Sequence, residues 1–235
     1  MKTGSASRQG IWALVPIKRL DRSKSRLSGV LDPAERKALA RAMLCDVLAA
    51  LGRVKALAGI LVVTGDADAT SIATSFGATV LADPAENGLN DAVLHGMRHL
   101  DAEHRAGVIV VPADIPFVAP AELAAVLAAL RSSPVVVVPA TRDGGTNMLA
   151  ISPPALLSPV FGPDSFARHV AEARALGIEP QVLSLSGAGH DIDVAADLDF
   201  HDCKGPAKRT RACLGRFIRT SLPTPVGSIK EVSLP

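Results

Sequence analysis

Short apolar runs rich in β-branched residues alternate along this chain with longer segments of helical periodicity, and this alternation constrains the fold more than any other feature. It is typical of βα units, in which helices connect parallel strands and cover the sheet. We therefore predict a single α/β domain with a mostly parallel central sheet flanked by helices. The predicted strands are residues 12–17, 60–64, 79–82, 108–112, 135–139, 148–151 and 181–185.

Helices are predicted from their start and stop signals. Pro33 follows Asp32, and Glu35 lies three residues after Asp32, which is a strong N-terminal pattern for a helix that runs to about Leu51. Further helices are predicted over residues 66–76, 90–100, 120–130 and 164–176. Glycines follow two of them, at positions 77 and 177, and favour a helix end there.

The composition excludes several classes of protein. Aromatic residues make up only 3%, with no Tyr, so few rings are present to stack on nucleic-acid bases. No apolar stretch approaches the roughly 18 residues of a membrane span, and the polar N-terminus does not fit a signal peptide. The three cysteines match neither a disulfide framework nor a zinc site. We expect a cytoplasmic protein that binds neither membrane nor nucleic acid.

The positive charge is concentrated at the C-terminus. Residues 204–235 contain seven Lys or Arg and a single acid, Glu231, although the whole chain has a formal net charge of only +2. Such a tail is usually a solvated extension rather than a nucleic-acid-binding segment. We predict a folded domain over residues 11–200 and a basic, poorly ordered extension over residues 201–235.

A cluster of cations follows the first predicted strand, at the sheet edge where α/β proteins bind ligands. Five Lys or Arg and one acid occur between Lys18 and Arg26. This pattern fits a polyanion such as a triphosphate, but it is also compatible with a solvated basic loop. Neither G-x-G-x-x-G after a strand nor G-x-x-x-x-G-K-[ST] is present, so side chains would have to hold the phosphates.

Carboxylates follow two other predicted strands. Asp114 comes after the fourth strand, and Asp191 and Asp193 follow the last strand and would share one face of an extended segment. Mg²⁺ needs only one or two protein carboxylates beside water and phosphate, so these residues are candidate ligands. Alternatively, Asp114 caps a turn or a helix. Asp197 is expected to cap or pair locally.

Two further segments offer neutral contacts to a ligand. Residues 143–147, D-G-G-T-N, lie between two strands and form either a ligand-binding loop or a plain hairpin turn. Ser165 lies at the start of a predicted helix, where free backbone N–H groups and the helix dipole favour an anion, with Arg168 one turn further on. His169 is equally compatible with simple packing in the core.

These segments, taken in order, resemble the CofC family. The matching motifs are V-P-I-K-R-L-D-R-S-K-S-R-L, G-L-N-D-A-V-L-H-G, A-D-I-P, D-G-G-T-N, F-G-P-D-S-F-A-R-H and D-I-D-V-A-A-D-L, which together cover about residues 11–200. Val194 and Ala195 replace the Thr and Pro that commonly follow D-[IV]-D in the family. The resemblance implies a single-domain, Rossmann-like nucleotidyltransferase fold of the glycosyltransferase-A type.

The resemblance also implies an activity: transfer of GMP from GTP to 2-phospho-L-lactate, phosphoenolpyruvate or 3-phospho-D-glycerate in coenzyme F420 biosynthesis, with Mg²⁺ as cofactor. A homodimer is compatible with the sequence. Site residues carry over by motif. Lys18, Lys24 and Arg26 would face phosphates, Asp114 and Asp193 would serve the metal, Thr146, Gly162 and Ser165 would hold the acidic substrate, and Gly65, Gly88, Leu89 and Asn90 would lie near the nucleoside.

Two rival hypotheses remain. Molybdenum-cofactor guanylyltransferases and cytidylyltransferases share this fold, but they typically carry a glycine-rich loop after the first strand, where this chain has P-I-K-R-L. A noncatalytic nucleotide-binding protein would have little need for the cations and the metal-type acids. The predicted reaction is a direct attack of a substrate phosphate oxygen on the α-phosphorus of GTP, promoted by alignment and charge neutralisation.

Overall fold

The computed structural model describes residues 10–83, 87–199 and 205–221, without the side chains of residues 218–221. Its strands are β1 (Ile11–Ile17), β2 (Gly59–Thr64), β3 (Thr79–Ala82), β4 (Gly107–Val110), β5 (Val135–Pro139), β6 (Thr146–Ile151) and β7 (Gln181–Val182). Its helices are α1 (Pro33–Leu51), α2 (Ala67–Ser75), α3 (Leu89–Ala102), α4 (Pro120–Ala129), α5 (Ser165–Ala175) and α6 (Lys208–Ser221). Short 3₁₀ turns cover Leu20–Arg22, Ser25–Leu27 and Ala195–Leu198.

These strands form one sheet in the order β3-β2-β1-β4-β6-β5-β7. β1 is parallel to β2 and β4, and β2 is parallel to β3. β6 runs antiparallel to its neighbours β4 and β5, whereas β5 and β7 are parallel. The prediction of a mostly parallel sheet is confirmed. The carboxyl ends of β1, β2 and β4 meet at one edge, where such folds bind ligands.

Apolar side chains cover both faces of the sheet, because successive residues of a strand point to opposite sides. In β1, Ala13 and Val15 pack with α1, α2 and α4, whereas Leu14 packs on the other face with α3 and α5. The layer on the first face contains buried helix residues such as Leu44, Leu48, Ala69 and Leu123. The layer on the second face contains Val93, Met97, Leu100 and Ala173. This double burial explains the continuous apolar runs in the strands.

The helix signals in the sequence have the predicted effect. The Asp32 carboxylate accepts from the Glu35 backbone N–H at 2.8 Å, and the Glu35 carboxylate accepts from the Asp32 N–H at 2.9 Å. Gly77 and Gly177 have φ values of 75° and 74°, in the left-handed region that terminates helices. The start of α1 and the ends of α2 and α5 are thus confirmed.

Two predicted strands are too long. The fourth ends at Val110 rather than at residue 112, although the Val111 N–H still donates to the Leu14 carbonyl at 2.9 Å. Pro112 has no N–H and cannot extend the ladder. The seventh ends at Val182 rather than at residue 185, because the chain turns there and the Leu185 carbonyl accepts from the Gly189 N–H at 2.7 Å.

Within the predicted basic extension, the described residues 205–221 include α6, which packs against α1. Asp46 on α1 is buried, and its carboxylate accepts from the backbone N–H and the hydroxyl of Thr210 at 2.8 and 2.9 Å. Ala207 and Leu214 place an apolar stripe in the core. Residues 201–204 and 222–235 of the predicted extension lie outside the described residues. Within the described residues, no helix is long and apolar enough to cross a membrane.

Candidate active site

A cavity of about 470 Å³ lies at the carboxyl ends of β1 and β4, and we call it the first cavity. Its lining includes the end of β1 and the segment that follows it (residues 16–20 and 22–24), residues 112–114 after β4, and residues 88, 89 and 92 at the start of α3. Six of the residues singled out from the sequence line it: Lys18, Lys24, Gly88, Leu89, Asp114 and Asp193. The structure therefore brings the predicted phosphate-facing and metal-type side chains together.

Lys24 is at the centre of the charged groups in the first cavity. Its backbone is in the left-handed region, with φ 57°, and its side chain is only 9% exposed. The ammonium Nζ lies 2.6 Å from Asp114 Oδ2 and 3.6 Å from Asp193 Oδ1. Burial alone would lower the pKa of Lys24, but the charge and hydrogen bond of Asp114, together with the charge of Asp193, raise the pKa above its ordinary value. The two neighbouring acids therefore favour the charged form of Lys24.

The segment that carries Asp193 is fixed in place by hydrogen bonds. The Ile192 N–H donates to the Asp114 carbonyl at 3.0 Å, which joins the two acidic segments through their backbones. The Asp197 carboxylate accepts from the N–H groups of Asp193 and Val194, both at 2.8 Å, as expected for a local cap. Arg26, which is largely exposed, approaches the Asp193 carboxylate at 2.6 Å.

An apolar cluster connects the segments that carry the charged residues of the first cavity. Leu27 follows Arg26, Phe117 follows the Asp114 turn, and Ile192 lies between Asp191 and Asp193; all are fully buried in one cluster. Leu31, Leu39, Met43, Ala207 and Leu214 complete that cluster. Three charged segments from distant parts of the sequence are thus held together by a shared hydrophobic contact, and α6 is part of it.

A second cavity, of about 300 Å³, adjoins the first. Pro16, Leu89, Pro112 and Asp114 line both cavities. The second cavity is bounded by the β5–β6 loop, by residues 161–163 and by the start of α5. The predicted residues that line it, besides Leu89 and Asp114, are Arg26, Thr146, Gly162 and Ser165.

Hydroxyl groups in the wall of the second cavity are held by buried hydrogen bonds. The Thr146 backbone N–H donates to Ser165 Oγ at 2.8 Å, and Thr146 Oγ1 lies 3.0 Å from His169 Nδ1. Thr146, Ser165 and His169 are all buried. Arg168 instead donates to the Pro163 carbonyl at 2.9 Å and does not line the cavity. This part of the wall therefore presents neutral hydroxyl groups, whereas Arg26, Asp114, Asp143 and Asp191 are charged groups in the rest of the lining.

Two predicted nucleoside-binding residues lie apart from the cavity linings. The Asn90 side chain donates to the Phe161 carbonyl at 3.0 Å and accepts from the Phe161 N–H at 2.8 Å, so it anchors the loop that lines the second cavity. Gly65 is exposed after β2 and lines neither cavity. Gly88 and Gly162 have φ values of 128° and 124°, which only glycine adopts readily.

Asp191 was noted in the sequence but is absent from the residues to which the resemblance gives a role. It lines the second cavity, and burial raises its pKa, with a further increase from the negative charge of Asp114. The charges of Lys24 and Arg142 oppose this increase. In the sequence, the spacing of two residues between Asp191 and Asp193 is the feature that indicates a shared role for the two acids. Asp143 and Asn147 also line this cavity, and in the sequence they were visible only as part of the D-G-G-T-N loop.

The acids at the junction of the two cavities have the chemistry of a magnesium site. Asp114 and Asp193 both approach the Lys24 ammonium, so their carboxylates face a common region. Within the described residues, no group of three or more His, Cys, Asp or Glu side chains has the arrangement of a metal site. A pair of carboxylates still fits Mg²⁺, which completes its shell with water and phosphate oxygens.

The fold and the charged double cavity define a nucleotidyltransferase of the α/β class. A solved structure named as a nucleotide-diphospho-sugar transferase, from Desulfovibrio desulfuricans G20, has the same fold, with a TM-score of 0.71, 18% identity and coverage of 90% of this chain and 98% of that one. The family model described as "Guanylyl transferase CofC like" matches residues 11–228. The chain belongs to this family.

Curated relatives agree with this assignment. The phosphoenolpyruvate guanylyltransferase of Conexibacter woesei is 37% identical over 217 residues, which cover 89% of this chain and 97% of the relative. The 2-phospho-L-lactate guanylyltransferase of Methanothermobacter thermautotrophicus is 34% identical over 221 residues, which cover 94% and 97% of the two chains. The similarity extends over almost the full length of each relative.

Proposed function

We propose that this protein transfers GMP from GTP to a small phosphorylated carboxylic acid and releases pyrophosphate. The observation that carries the proposal is that the two cavities share Asp114 in their walls. The larger cavity is lined by four cations and suits a triphosphate, whereas the smaller cavity offers the hydroxyls of Thr146 and Ser165 and the cation Arg26 to a compact acid. Two substrates bound in this way would meet at the junction, which is the geometry that a direct transfer requires.

In this proposal a phosphate oxygen of the acid attacks the α-phosphorus of GTP. A new P–O bond forms, the bond from the α-phosphorus to the bridging oxygen breaks, and pyrophosphate leaves with that electron pair. The nucleophile is already anionic, so no general base is needed. Lys18, Lys24 and Arg26 would offset the negative charge of the phosphates. Lys24 is best placed, because it is buried and the acids beside it favour its charged form.

Asp114 and Asp193 are the residues proposed to hold Mg²⁺. When bound there, the ion would supply positive charge next to the triphosphate. The contribution of the chain itself is to fix these carboxylates. The backbone bond from Ile192 to Asp114 and the two bonds to the Asp197 carboxylate keep both acids on the same side of the cavity.

For the acceptor we propose phosphoenolpyruvate, and coenzyme F420 biosynthesis as the pathway served. The support is that the relative from Conexibacter woesei, which is 37% identical, bears that substrate in its name, whereas the relative named for 2-phospho-L-lactate is 34% identical. Thr146, Gly162 and Ser165 would contact the acid. We also propose a cytoplasmic location, which suits the free thiols Cys45 and Cys213.

The test is mass spectrometry of the products formed from GTP, Mg²⁺ and each of phosphoenolpyruvate, 2-phospho-L-lactate and 3-phospho-D-glycerate. We expect a diphosphate-linked GMP adduct and one equivalent of pyrophosphate, with the highest kcat/KM for phosphoenolpyruvate. A parallel assay with CTP tests the cytidylyltransferase alternative. Saturable binding of GTP without any product from the three acids would contradict the proposal and indicate a binding protein.

A further inference from the structure

The two ring nitrogens of His169, on α5, contact different kinds of group. The side chain is fully buried. Nε2 lies 3.1 Å from the backbone nitrogen of Val160, whose N–H points at it, and Nδ1 lies 3.0 Å from Thr146 Oγ1. The ring also makes an edge contact with Phe161, with the ring centroids 5.1 Å apart. His169 therefore connects the loop that lines the second cavity to the hydroxyl in its wall.

These contacts determine where the imidazole carries its proton. A backbone N–H can only donate, so the Nε2 that receives it must be unprotonated. The neutral ring then carries its hydrogen on Nδ1. Burial, with a smaller effect from the charge of Arg168, lowers the pKa of His169 to about 4, so the ring is neutral at pH 7.

The tautomer of His169 sets the role of the Thr146 hydroxyl. Nδ1–H donates to Thr146 Oγ1, so the hydroxyl oxygen acts as an acceptor toward the protein and its own hydrogen remains to be donated. Among the described residues, no protein acceptor receives that hydrogen. The hydrogen of the Ser165 hydroxyl likewise remains to be donated, because Ser165 Oγ accepts from the Thr146 N–H. Both residues line the second cavity.

We propose that His169 is a positioning residue, which fixes the Thr146 hydroxyl as a hydrogen-bond donor to an anionic oxygen of the phosphorylated acid. This role rests on the proposed function of the second cavity. A carboxylate or phosphate oxygen accepts hydrogen bonds only, so a hydroxyl held as a donor favours it over a neutral or donating group. A hydroxyl that was free to rotate would show less of this preference.

Two substitutions at the same position separate this role from simple packing. His169→Asn keeps an amide nitrogen three bonds from Cα, as Nδ1 is, and so keeps a donor to Thr146. His169→Gln keeps an amide oxygen four bonds from Cα, as Nε2 is, and so keeps the acceptor for Val160. Both variants lose the imidazole ring, and Asn leaves the larger cavity at this buried position, so a pure packing role would make His169→Asn the worse of the two. Thr146→Val removes the hydroxyl at nearly constant volume.

We expect the KM for the acid to rise about three- to tenfold more in His169→Gln than in His169→Asn. The KM for GTP should be the same in both variants. Thr146→Val should raise the KM for the acid at least as much as His169→Gln. The double variant that combines Thr146→Val with His169→Gln should have a KM for the acid no higher than that of Thr146→Val alone. Equal losses in the Asn and Gln variants, or losses that add in the double variant, would overturn the positioning role while the proposed function stands.

The tautomer itself can be measured without activity. A long-range ¹H–¹⁵N correlation spectrum distinguishes protonated from unprotonated ring nitrogens, and the signals lost in His169→Asn identify this residue among the six histidines. We expect Nδ1 protonated and Nε2 unprotonated at pH 7. Protonation at Nε2 would overturn the inference. If the unaltered protein makes no product from any phosphorylated acid, the proposed function fails, and the role of His169 toward that acid fails with it.

Discussion

Charged side chains line both adjoining cavities, but the two cavities differ in the residues that hold the ligand-facing groups in place. The first presents charged groups to its ligand, Lys24 with Asp114 and Asp193, and is supported from behind by an apolar cluster. The second has buried hydroxyls in its wall, and polar side chains, His169 and Asn90, support it from behind. Attraction by charge around Lys24 and oriented hydrogen bonds from Thr146 and Ser165 are thus provided by different parts of one site.

The difference follows from what each ligand demands. A triphosphate carries several charges over many oxygens, and opposite charge attracts it over a distance without strict direction. A small acid offers few contacts, so a binding site must use the direction of each hydrogen bond to select it. The apolar support keeps the charged segments together without adding competing partners, whereas the polar support orients individual hydroxyl hydrogens.

The largest expected effect comes from the carboxylate at the junction of the cavities. Asp114→Asn removes the charge that pairs with Lys24 at 2.6 Å and one of the proposed Mg²⁺ donors. We expect kcat to fall on the order of 10³-fold, measured as pyrophosphate release. The fold should persist, as checked by circular dichroism.

The matched control is Asp68→Asn. Asp68 is on α2 and pairs with Lys37 and Arg41 on the surface, at 2.8 and 3.0 Å, away from both cavities. Its loss should leave kcat within about twofold. Near-normal turnover by the Asp114→Asn variant would remove Asp114 from the mechanism and leave the junction without a functional role.

The next largest effect tests the apolar support of the first cavity. Leu214 on α6 is 3% exposed and packs in the cluster that contains Leu27, Phe117 and Ile192. Leu214→Ala should lower the free energy of unfolding by about 2–4 kcal/mol, because it leaves a cavity in this cluster. Urea unfolding measures the change.

Leu176→Ala is the control, because Leu176 is 55% exposed. Its effect should stay within about 0.5 kcal/mol. Equal effects of the two substitutions would mean that α6 adds nothing to the cluster behind the charged segments. The apolar cluster would then be stabilised by α1 and the charged segments without a contribution from α6.

The contribution of α6 shows why part of the fold could not be predicted. The strands and the start of α1 have strong local signals, namely β-branched runs and the capping pattern at Asp32. In residues 208–221 the cations dominate the sequence, and the apolar stripe is sparse. The helix is joined to α1 by Asp46, which is 164 positions away in sequence and accepts from the Thr210 N–H. No local pattern contains that contact.

The charged residues around Lys24 were more predictable than the residues that hold the hydroxyl groups of the second cavity. Lys24 and Asp114 follow β1 and β4, which are neighbouring parallel strands, so their proximity follows from topology. Asp193 lies well beyond the end of β7, and the backbone bond from Ile192 to Asp114 brings it to them. His169 is inside a helix, where burial for packing and burial for function leave the same sequence pattern. Its partner atoms, Thr146 Oγ1 and the Val160 N–H, become known only in three dimensions.

A third prediction compares cations within the first cavity. Lys24 is almost fully buried between two acids, whereas Lys18 is exposed at the cavity edge. Lys24→Met should lower kcat/KM for GTP about 10²-fold, since a preorganised, water-excluded charge stabilises the transition state most. Lys18→Met should lower it only a few-fold, as expected for a solvent-screened charge. Equal losses would show that total charge, and not burial, determines how the first cavity works.

The smallest effect is expected in the pH dependence of stability, and it arises from the second cavity. Burial lowers the pKa of His169 to about 4 in the folded protein, below its ordinary value of 6.5. The unfolded chain therefore binds more protons than the folded one between these values, so stability is complete above pH 6.5 and is lost as the pH falls toward 4. The loss due to His169 should be about 2 kcal/mol at pH 5.

Urea unfolding of the unaltered protein and of the His169→Asn variant, at pH 8 and pH 5, isolates this contribution. The Asp and Glu residues titrate in both proteins, so their effect cancels in the difference, and only the unaltered protein carries the His169 part. We expect the variant to lose less stability than the unaltered protein on acidification. An equal loss would mean that His169 accepts a proton as readily in the fold as outside it. The Nε2 atom could then not be held as an acceptor by the Val160 N–H, and the polar support of the second cavity would be weaker than its geometry indicates.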